Sequence, residues 1–513
     1  MIKMRSRYTS VLFGMVVFAV TCAGCTTMTG GDRFAKLAEQ PFVENAATDV
    51  AAKTLMDELY FQRACQVYLW ALPAMNCVAM KEGSAKTFGS GYNVMPIWRK
   101  RLNPKTLVTT PNSDVIYAMA FLDLKKDGPM VVEVAAGLQG ILDDFWQRPL
   151  TGPLTDSSLG LPSPDGKRWF GDVGLVGPDE GKGGKYIVLP PDYEGEEPKD
   201  GYVFRSRTYG VFIFWRAFFQ DPADLSKPVG VMEATKIYPL GKKAQAKPMQ
   251  FPEGSGVPAD LLFSRDSSYF DMLARFIDHE YVDPTEMDMR GMLAAIGIVK
   301  GSAFKPTARQ REILDRAALT AFKMSKAMTT HGIAEMEGGL QWPDRQYVNP
   351  FMGGSPFFYA DTYMSLDNRI LYFSNAYSAS PAMAVNIVGM GAKYPATFRD
   401  VDGDILSGGK TYKLHLPAGI PAKLFWSVTV YDGDNASGLD NGQPLPSINT
   451  MDKPKANADG SIDIYFGHEK PKGADNWLRT VPGKSWFTIV RLYGPDKPYF
   501  DNTWKPDDIV KVK

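Results

Sequence analysis

Histidine and cysteine are both scarce in this sequence, with four of each among 513 residues. His279, His331, His415 and His468 are scattered, and the "HEYVD" around His279 lacks the second histidine of a zinc-binding helix. Cys22 and Cys25 fall at the start, which leaves Cys65 and Cys77 on either side of Pro73. On one unbroken helix those two would stand about 18 Å apart, too far for a disulfide. They read as small buried side chains, unless the chain turns back at Pro73. A G-x-S-x-G elbow, a P-loop and a strand-linked G-x-G-x-x-G are all missing, so serine-hydrolase, NTPase and dinucleotide chemistry lack support. Charge of one sign is missing too. Lys and Arg total 57 against 57 Asp and Glu, which gives no electrostatic case for a nucleic-acid partner. Nothing implies a cofactor or a metal centre. The nearest approach is Asp400, Asp402 and Asp404 in "DVDGDILSGGKT". Its glycine comes too early for a calcium loop, and Thr411 replaces the closing glutamate. A turn accounts for this stretch, with weak calcium binding as the alternative.

Long apolar runs are also lacking. "VLFGMVVFAV", Val11 to Val20, is half the roughly 20 residues that a spanning helix needs. Behind Lys3, Arg5 and Arg7 and ahead of the small residues of "TCAGC", it reads as the core of an export signal over residues 1–24. The arrangement resembles the bacterial lipoprotein signal, although Cys22 stands where that signal usually has Leu. The resemblance implies a lipid on Cys25 and attachment to a membrane. With Thr26 next, it implies the outer membrane, facing the periplasm. Ordinary signal-peptidase cleavage is the alternative. Removing the three basic residues of 1–24 leaves 54 basic against 57 acidic, a net of −3. Residues 25–50 read as a polar tether.

What is present is an alternation of patterns. Leu55 to Ala71 reads as a helix, with Met56, Tyr60, Ala64, Val67 and Ala71 on one stripe and Pro73 ending or kinking it. From Leu107 to about Arg207 the chain breaks into short Val-, Ile- and aromatic-rich runs such as "PMVVEV", "KYIVLP" and "GYVFRSR", which read as strands. "YGVFIFWRAFF" is a helix or a buried strand. Residues 263–330 are helical again, with capping patterns at Asp283 and at Thr307 with Gln310. There Leu314, Ala318, Ala321, Met324 and Met328 mark one amphipathic face. From Asp400 onward "TYKLHL", "LFWSVTVY", "SIDIYF" and "WFTIVRLY" are strands once more. This order predicts an α+β fold: two antiparallel β-sandwich-like modules, connected and flanked by a helical layer. The expected divisions are 51–245 for the first module with its helix, 246–335 for the helical connector and 336–513 for the second module.

The strand segments resemble two bacterial domain families, domains of unknown function 1254 and 1214, which occur in tandem. "TPNSDVIYAMAFLDL", "GPMVVEV", "LDDFW", "LVGP" and "VFRSRTY" carry the first resemblance. "YFSNAY", "RDVDGDILSGGKTYKLHLP", "LFWSVTVYD", "NWL", "FTIVRLYGP" and "TWKP" carry the second. The resemblance implies a β-sandwich for each module and brings no catalytic residue with it.

Candidate site residues follow from polar groups set among apolar ones. "PNSD" precedes a buried strand, and Asn112 and Asp114 are expected at its sheet margin, pointing the same way, with Tyr117 on the opposite face. There they would line a cleft or cap loop N–H groups. Asp143 and Asp144 face opposite ways on a strand, so only one could pair with Asp114 as an acid–base couple. Salt bridges to Arg148 or Arg205 are the plainer account. Arg491 shares an apolar strand face with Phe487, Ile489 and Tyr493, and a buried charge there requires an acceptor. Trp426 and Tyr431 belong to aromatic rows that form either core or a ligand platform. Asn476, before a turn, serves the backbone or a ligand. Two functions fit: an exported, lipid-anchored envelope protein binding a small-molecule or glycan ligand, or a carboxylate-dependent hydrolase or lyase. The second would centre on Asn112, Asp114, Tyr117 and one of Asp143 and Asp144.

Overall fold

A computed structural model describes residues 32–152, 171–384 and 386–512. The expected signal and Cys25 lie outside the described residues. The chain divides into two compact units, Met1–Glu58 and Leu59–Lys513. The first contains a helical turn, Arg33–Ala38, capped by Asp32, and a two-residue ladder joining Phe42–Val43 to Ala46–Ala47. Helix α1 (Asp49–Phe88) starts in it.

Proline does not end that helix. Pro73 lies inside α1, although a mid-helix proline removes one hydrogen bond and crowds the preceding turn. Side chains from elsewhere collect carbonyls around the lesion. Tyr269 Oη donates to the Tyr68 carbonyl at 2.8 Å, Arg369 Nη1 to that of Trp70 at 2.7 Å and Gln147 Nε2 to that of Pro73 at 2.5 Å. Ala64, Val67 and Ala71 are fully buried as the stripe requires, whereas Met56 is exposed. Cys65 and Cys77 share this helix as buried thiols outside any disulfide, and Cys65 Sγ donates to the Ala317 carbonyl at 3.7 Å.

The first sandwich has one sheet of β1 (Ile116–Asp123), β3 (Gln139–Asp144), β4 (Asp172–Val173) and β7 (Gly210–Ala217), in the order β1-β7-β3-β4. The other sheet holds β2 (Met130–Val134), β5 (Gly184–Leu189), β6 (Tyr202–Arg205) and β8 (Lys236–Pro239), in the order β8-β2-β5-β6. Only the β5–β6 pair among these is parallel. "YGVFIFWRAFF" thus supplies a central strand, and period-two alternation splits it cleanly. Val211, Ile213 and Trp215 fill the space between the sheets with Ile116, Ala118, Val132 and Val188. Gly140 is required opposite Trp215, because a Cβ there would meet the indole at 2.1 Å.

The second sandwich repeats the plan. β9 (Ala392–Lys393), β10 (Ala396–Thr397), β12 (Ala422–Asp432), β13 (Ser447–Asn449) and β16 (Trp486–Pro495) form a five-stranded antiparallel sheet centred on β16 and β12. It packs on β11 (Tyr412–Leu416), β14 (Ile462–Gly467), β15 (Trp477–Arg479) and β17 (Val510–Lys511), where only β14–β15 is parallel. Val428, Val430, Leu414, Ile464 and Trp486 make its core.

Helices α2 (Ser268–His279), α3 (Met287–Ala295), α4 (Ala308–Thr330) and α5 (Leu366–Phe373) form the third layer. The Thr307–Gln310 capping box is present at the start of α4. Its buried stripe, however, runs Leu314, Ala318, Ala321, Ser325, Thr329 and leaves Met324 exposed. A period of 3.6 carries the face one residue past the expected methionine. The fold is α+β, with no closed barrel among the described residues.

Candidate functional site

Each sandwich keeps one sheet face for the other side of the molecule. On the first, antiparallel register sets Tyr117 beside Arg216, and Met119 and Ile141 beside Phe214. On the second, Phe425 lies opposite Tyr493, Thr429 opposite Ile489 and Tyr431 opposite Phe487 on neighbouring strands. Arg491 alternates with Ile489 and Tyr493 on that same face. Between these faces and the end of α4, α5 and the loop after it lies a cavity of about 120 Å³. Its lining includes Tyr117, Phe214 and Arg216 from one sheet and Phe487, Ile489 and Arg491 from the other. Asn368, Tyr372 and Tyr377 close it. An apolar cavity of ~150 Å³ holds a benzene molecule, so the space suits a body of about one aromatic ring.

Among the described residues, two cations line this apolar space and no carboxylate does. Arg491 is buried; its Nη1 donates to Thr429 Oγ1 at 3.2 Å and its Nη2 to the Thr110 carbonyl at 3.0 Å. Its Nε has no partner. Arg216 is partly buried, and its guanidinium makes no hydrogen bond or ion pair among the described residues. Burial works to lower its pKa, but Tyr394, Tyr117, Tyr493 and the Asp172 carboxylate together outweigh that, and the group stays protonated. Burial also raises the hydroxyls of Tyr372 and Tyr377 well above the tyrosine range, so both stay neutral. An unpaired charge against an apolar wall is costly. Asp172 and Asp114 act on Arg216 and Arg491 through their fields, but neither forms an ion pair with its arginine among the described residues.

Residues 92–239 match the protein family of unknown function DUF1254, and residues 391–497 match the protein family of unknown function DUF1214. The chain carries the two domains in that order. Among solved structures it is similar to the VPA0106 protein from Vibrio parahaemolyticus. That protein is 19% identical over 88% of this chain and 100% of the other, with a TM-score of 0.50, a likeness of fold. It also matches an uncharacterised protein from Burkholderia cenocepacia at 14% identity over 90% and 98%, with a TM-score of 0.37. No curated protein matches. The DUF1254 domain thus contributes Asn112, Tyr117 and Arg216 to the cavity, and the DUF1214 domain contributes Tyr394, Phe487 and Arg491. Asn368, Tyr372 and Tyr377 come from the chain between them.

"PNSD" lies directly before β1, which starts at Ile116, and residues 111–114 form a buried bend. The DUF1214 segment covers this end of the strand. Tyr431 Oη donates to the Pro111 carbonyl at 2.6 Å, and Asn112 Nδ2 donates to Tyr493 Oη at 3.0 Å and to Tyr117 Oη. Asp114 is fully buried and accepts from Ser427 Oγ at 2.5 Å and Asn449 Nδ2 at 3.1 Å. Burial raises its pKa against the lowering effect of Arg491 and these donors. The motif is the joint between the two domains.

The structure brings Asn112, Tyr117 and Arg491 together in the cavity, with Asp114 and Tyr431 behind its wall. The proposed pairing of Asp114 with Asp143 or Asp144 does not form. Asp144 takes Arg148 Nε at 2.6 Å and the amides of Trp146 and Arg148. Asp143 is enclosed facing the Ala379 amide, without a hydrogen bond of ordinary geometry. Burial, and then the charges of Asp144 and Asp172, hold it well above the carboxylate range. Trp426 points into the DUF1214 sandwich core. Asn476 is spent on the backbone of Lys455 and Asp463. No group of His, Cys, Asp and Glu among the described residues is placed to hold a metal. The Asp400, Asp402 and Asp404 turn is filled by the Lys511 ammonium, at 3.1, 3.0 and 2.7 Å.

Arg216, Asn368, Tyr372 and Tyr377 escaped the sequence reading. Arg216 carried a signal, since "VFIFWRA" places it on the strand face of Phe212 and Phe214. The reasoning applied to Arg491 reaches it as well. A neighbouring hollow of about 450 Å³ shares Pro350, Phe351, Met383 and Tyr394 with the cavity. It too lacks a carboxylate and holds the buried Lys393, whose pKa burial lowers to about 8.

Proposed function

We propose that this protein binds a small organic anion: a carboxylate carried on an apolar body the size of one aromatic ring. The observation that carries this reading is Arg216, a cation on the wall of an apolar cavity with no hydrogen-bonded or ion-paired carboxylate among the described residues; the buried Asp172 acts on it only through its field. Arg491 beside it keeps its Nε free. Charge-assisted hydrogen bonds in a dry site are about twice as strong as neutral ones, and a planar guanidinium matches a carboxylate in two-point geometry. The ring-sized apolar remainder suits Phe214, Phe487, Ile489 and Tyr377.

Calorimetric titration with benzoate, benzamide and toluene tests this. Benzoate should bind at least about tenfold more tightly than the isosteric benzamide, since the charge supplies roughly 1.5–3 kcal/mol. Equal affinity for the two, or no heat from any, would remove the reading.

The same proposal places the protein in the cell envelope, exported by residues 1–24 and anchored through a lipid on Cys25. The lipoprotein-type signal in the sequence supports this. Replacing Cys25 with Ala should move the protein from the membrane pellet to the soluble fraction. A Cys25→Ala protein that still sediments with membranes would argue for another anchor.

A further inference from the structure

Three asparagines line the cavity: Asn112, Asn368 and Asn375. Two are fully engaged. Asn112 donates to Tyr117 and Tyr493 and accepts from the Asp114 amide at 2.9 Å. Asn375 Nδ2 donates to Leu371 O, Thr329 Oγ1 and Ser374 Oγ, and its Oδ1 accepts Lys326 Nζ at 3.0 Å.

Asn368 differs. Its residue is 1% exposed, and Nδ2 donates to the Met352 carbonyl at 2.8 Å, yet Oδ1 has no hydrogen-bond partner among the described residues. The amide cannot turn over to relieve this. A flip would set its oxygen against the Met352 carbonyl and break its only hydrogen bond. Helix α5 therefore presents a fixed, unsatisfied acceptor at a wall that also carries cations, phenols, hydroxyls and two engaged asparagines. Leaving a buried acceptor empty is costly, and a site with such a group discriminates strongly for a ligand that fills it.

We infer that the ligand carries a hydroxyl or amino donor as well as its anionic group, and that Asn368 selects for that donor. This rests on the anion-binding reading above and narrows it to hydroxy- or amino-substituted carboxylates. The arginines hold the acid group and Asn368 Oδ1 accepts from the second one.

Titration of the wild-type protein with benzoate, the three hydroxybenzoates, the aminobenzoates and the matching methoxybenzoates tests the inference. One hydroxy or amino isomer should bind roughly tenfold more tightly than benzoate, which is smaller, and than its methoxy counterpart, which is larger and lacks the donor. That preference should vanish in Asn368→Leu. If Asn368→Leu does not fold, the donor-against-methoxy comparison in the wild type decides. A preference that persists in folded Asn368→Leu would overturn the assignment. So would benzoate binding that no donor isomer improves, which is the result expected if a water occupies the acceptor; the anion site itself would then stand. Absence of binding by every acid would overturn both.

Discussion

Arg216→Gln should raise the melting temperature of the free protein while weakening benzoate binding by about 10- to 100-fold. The opposite signs come from one physical cause. Arg216 is held at an apolar wall with no hydrogen bond or ion pair among the described residues. Its hydration is partly lost on folding, and no paired carboxylate among the described residues replaces it, since Asp172 acts only through its field. A neutral glutamine of similar reach removes that cost, for a gain on the order of 1 kcal/mol. The cost to binding is the loss of the charge-assisted contact with the carboxylate. Residues kept for function often carry such a penalty, and removing them trades activity for stability. Arg216→Lys separates charge from shape: it keeps the cation but not the planar fork, and should bind benzoate with intermediate affinity. Differential scanning calorimetry and titration on the three proteins give both readouts. A less stable Arg216→Gln with undiminished affinity would make Arg216 a structural residue and leave the cavity without its anchor.

Alternation and capping carried the fold into the sequence. β1, β12 and β16 are legible from their short Val-, Ile- and aromatic-rich runs, whereas β7, apolar on both faces, reads equally as a helix. Thr307 and Gln310 announce α4 because a capping box satisfies two backbone donors with local side chains. Pro73 misleads for the converse reason. Its consequences are absorbed by Tyr269, Gln147 and Arg369, remote in sequence. The site was half legible by the same logic. Arg491 stands out against an apolar row, and Asn112 and Tyr117 fall in a motif with three polar residues together. What no local pattern reveals is that the two sheets turn these faces toward one cavity. Nor does it reveal that α5 completes the wall with an asparagine whose oxygen is left over. Asp114 looked catalytic because a polar residue beside a strand has two uses, and only its partners on β12 and β13 decide between them.

Those partners make Asp114→Ala the most damaging single change, with an expected loss of about 3–5 kcal/mol in denaturant unfolding. Removing the carboxylate strands two buried donors at once, Ser427 Oγ and Asn449 Nδ2. Each costs roughly 1–3 kcal/mol when left unmet. The damage spreads along a closed circuit. Asn449 and Asp452 cap each other, Asp452 is paired with Arg101 at 3.2 Å, and Arg101 Nε donates to the Ser113 carbonyl beside Asp114. This circuit fastens the DUF1254 bend to the DUF1214 sheet, so its loss should loosen the wall that carries Asn112 and Arg491. Asp114→Asn keeps one acceptor and should cost less. The pH dependence supplies the sharper check. Burial raises the folded-state pKa of Asp114 above the ordinary aspartate range. The folded protein then binds this proton more tightly than the unfolded chain does, and stability falls as pH rises through that window. The advantage of wild type over Asp114→Asn should be greatest below pH ~4 and shrink as pH rises through the folded-state pKa. A gap that widened with rising pH would mean that the donors and Arg491 outweigh burial, and that Asp114 holds the joint as a carboxylate.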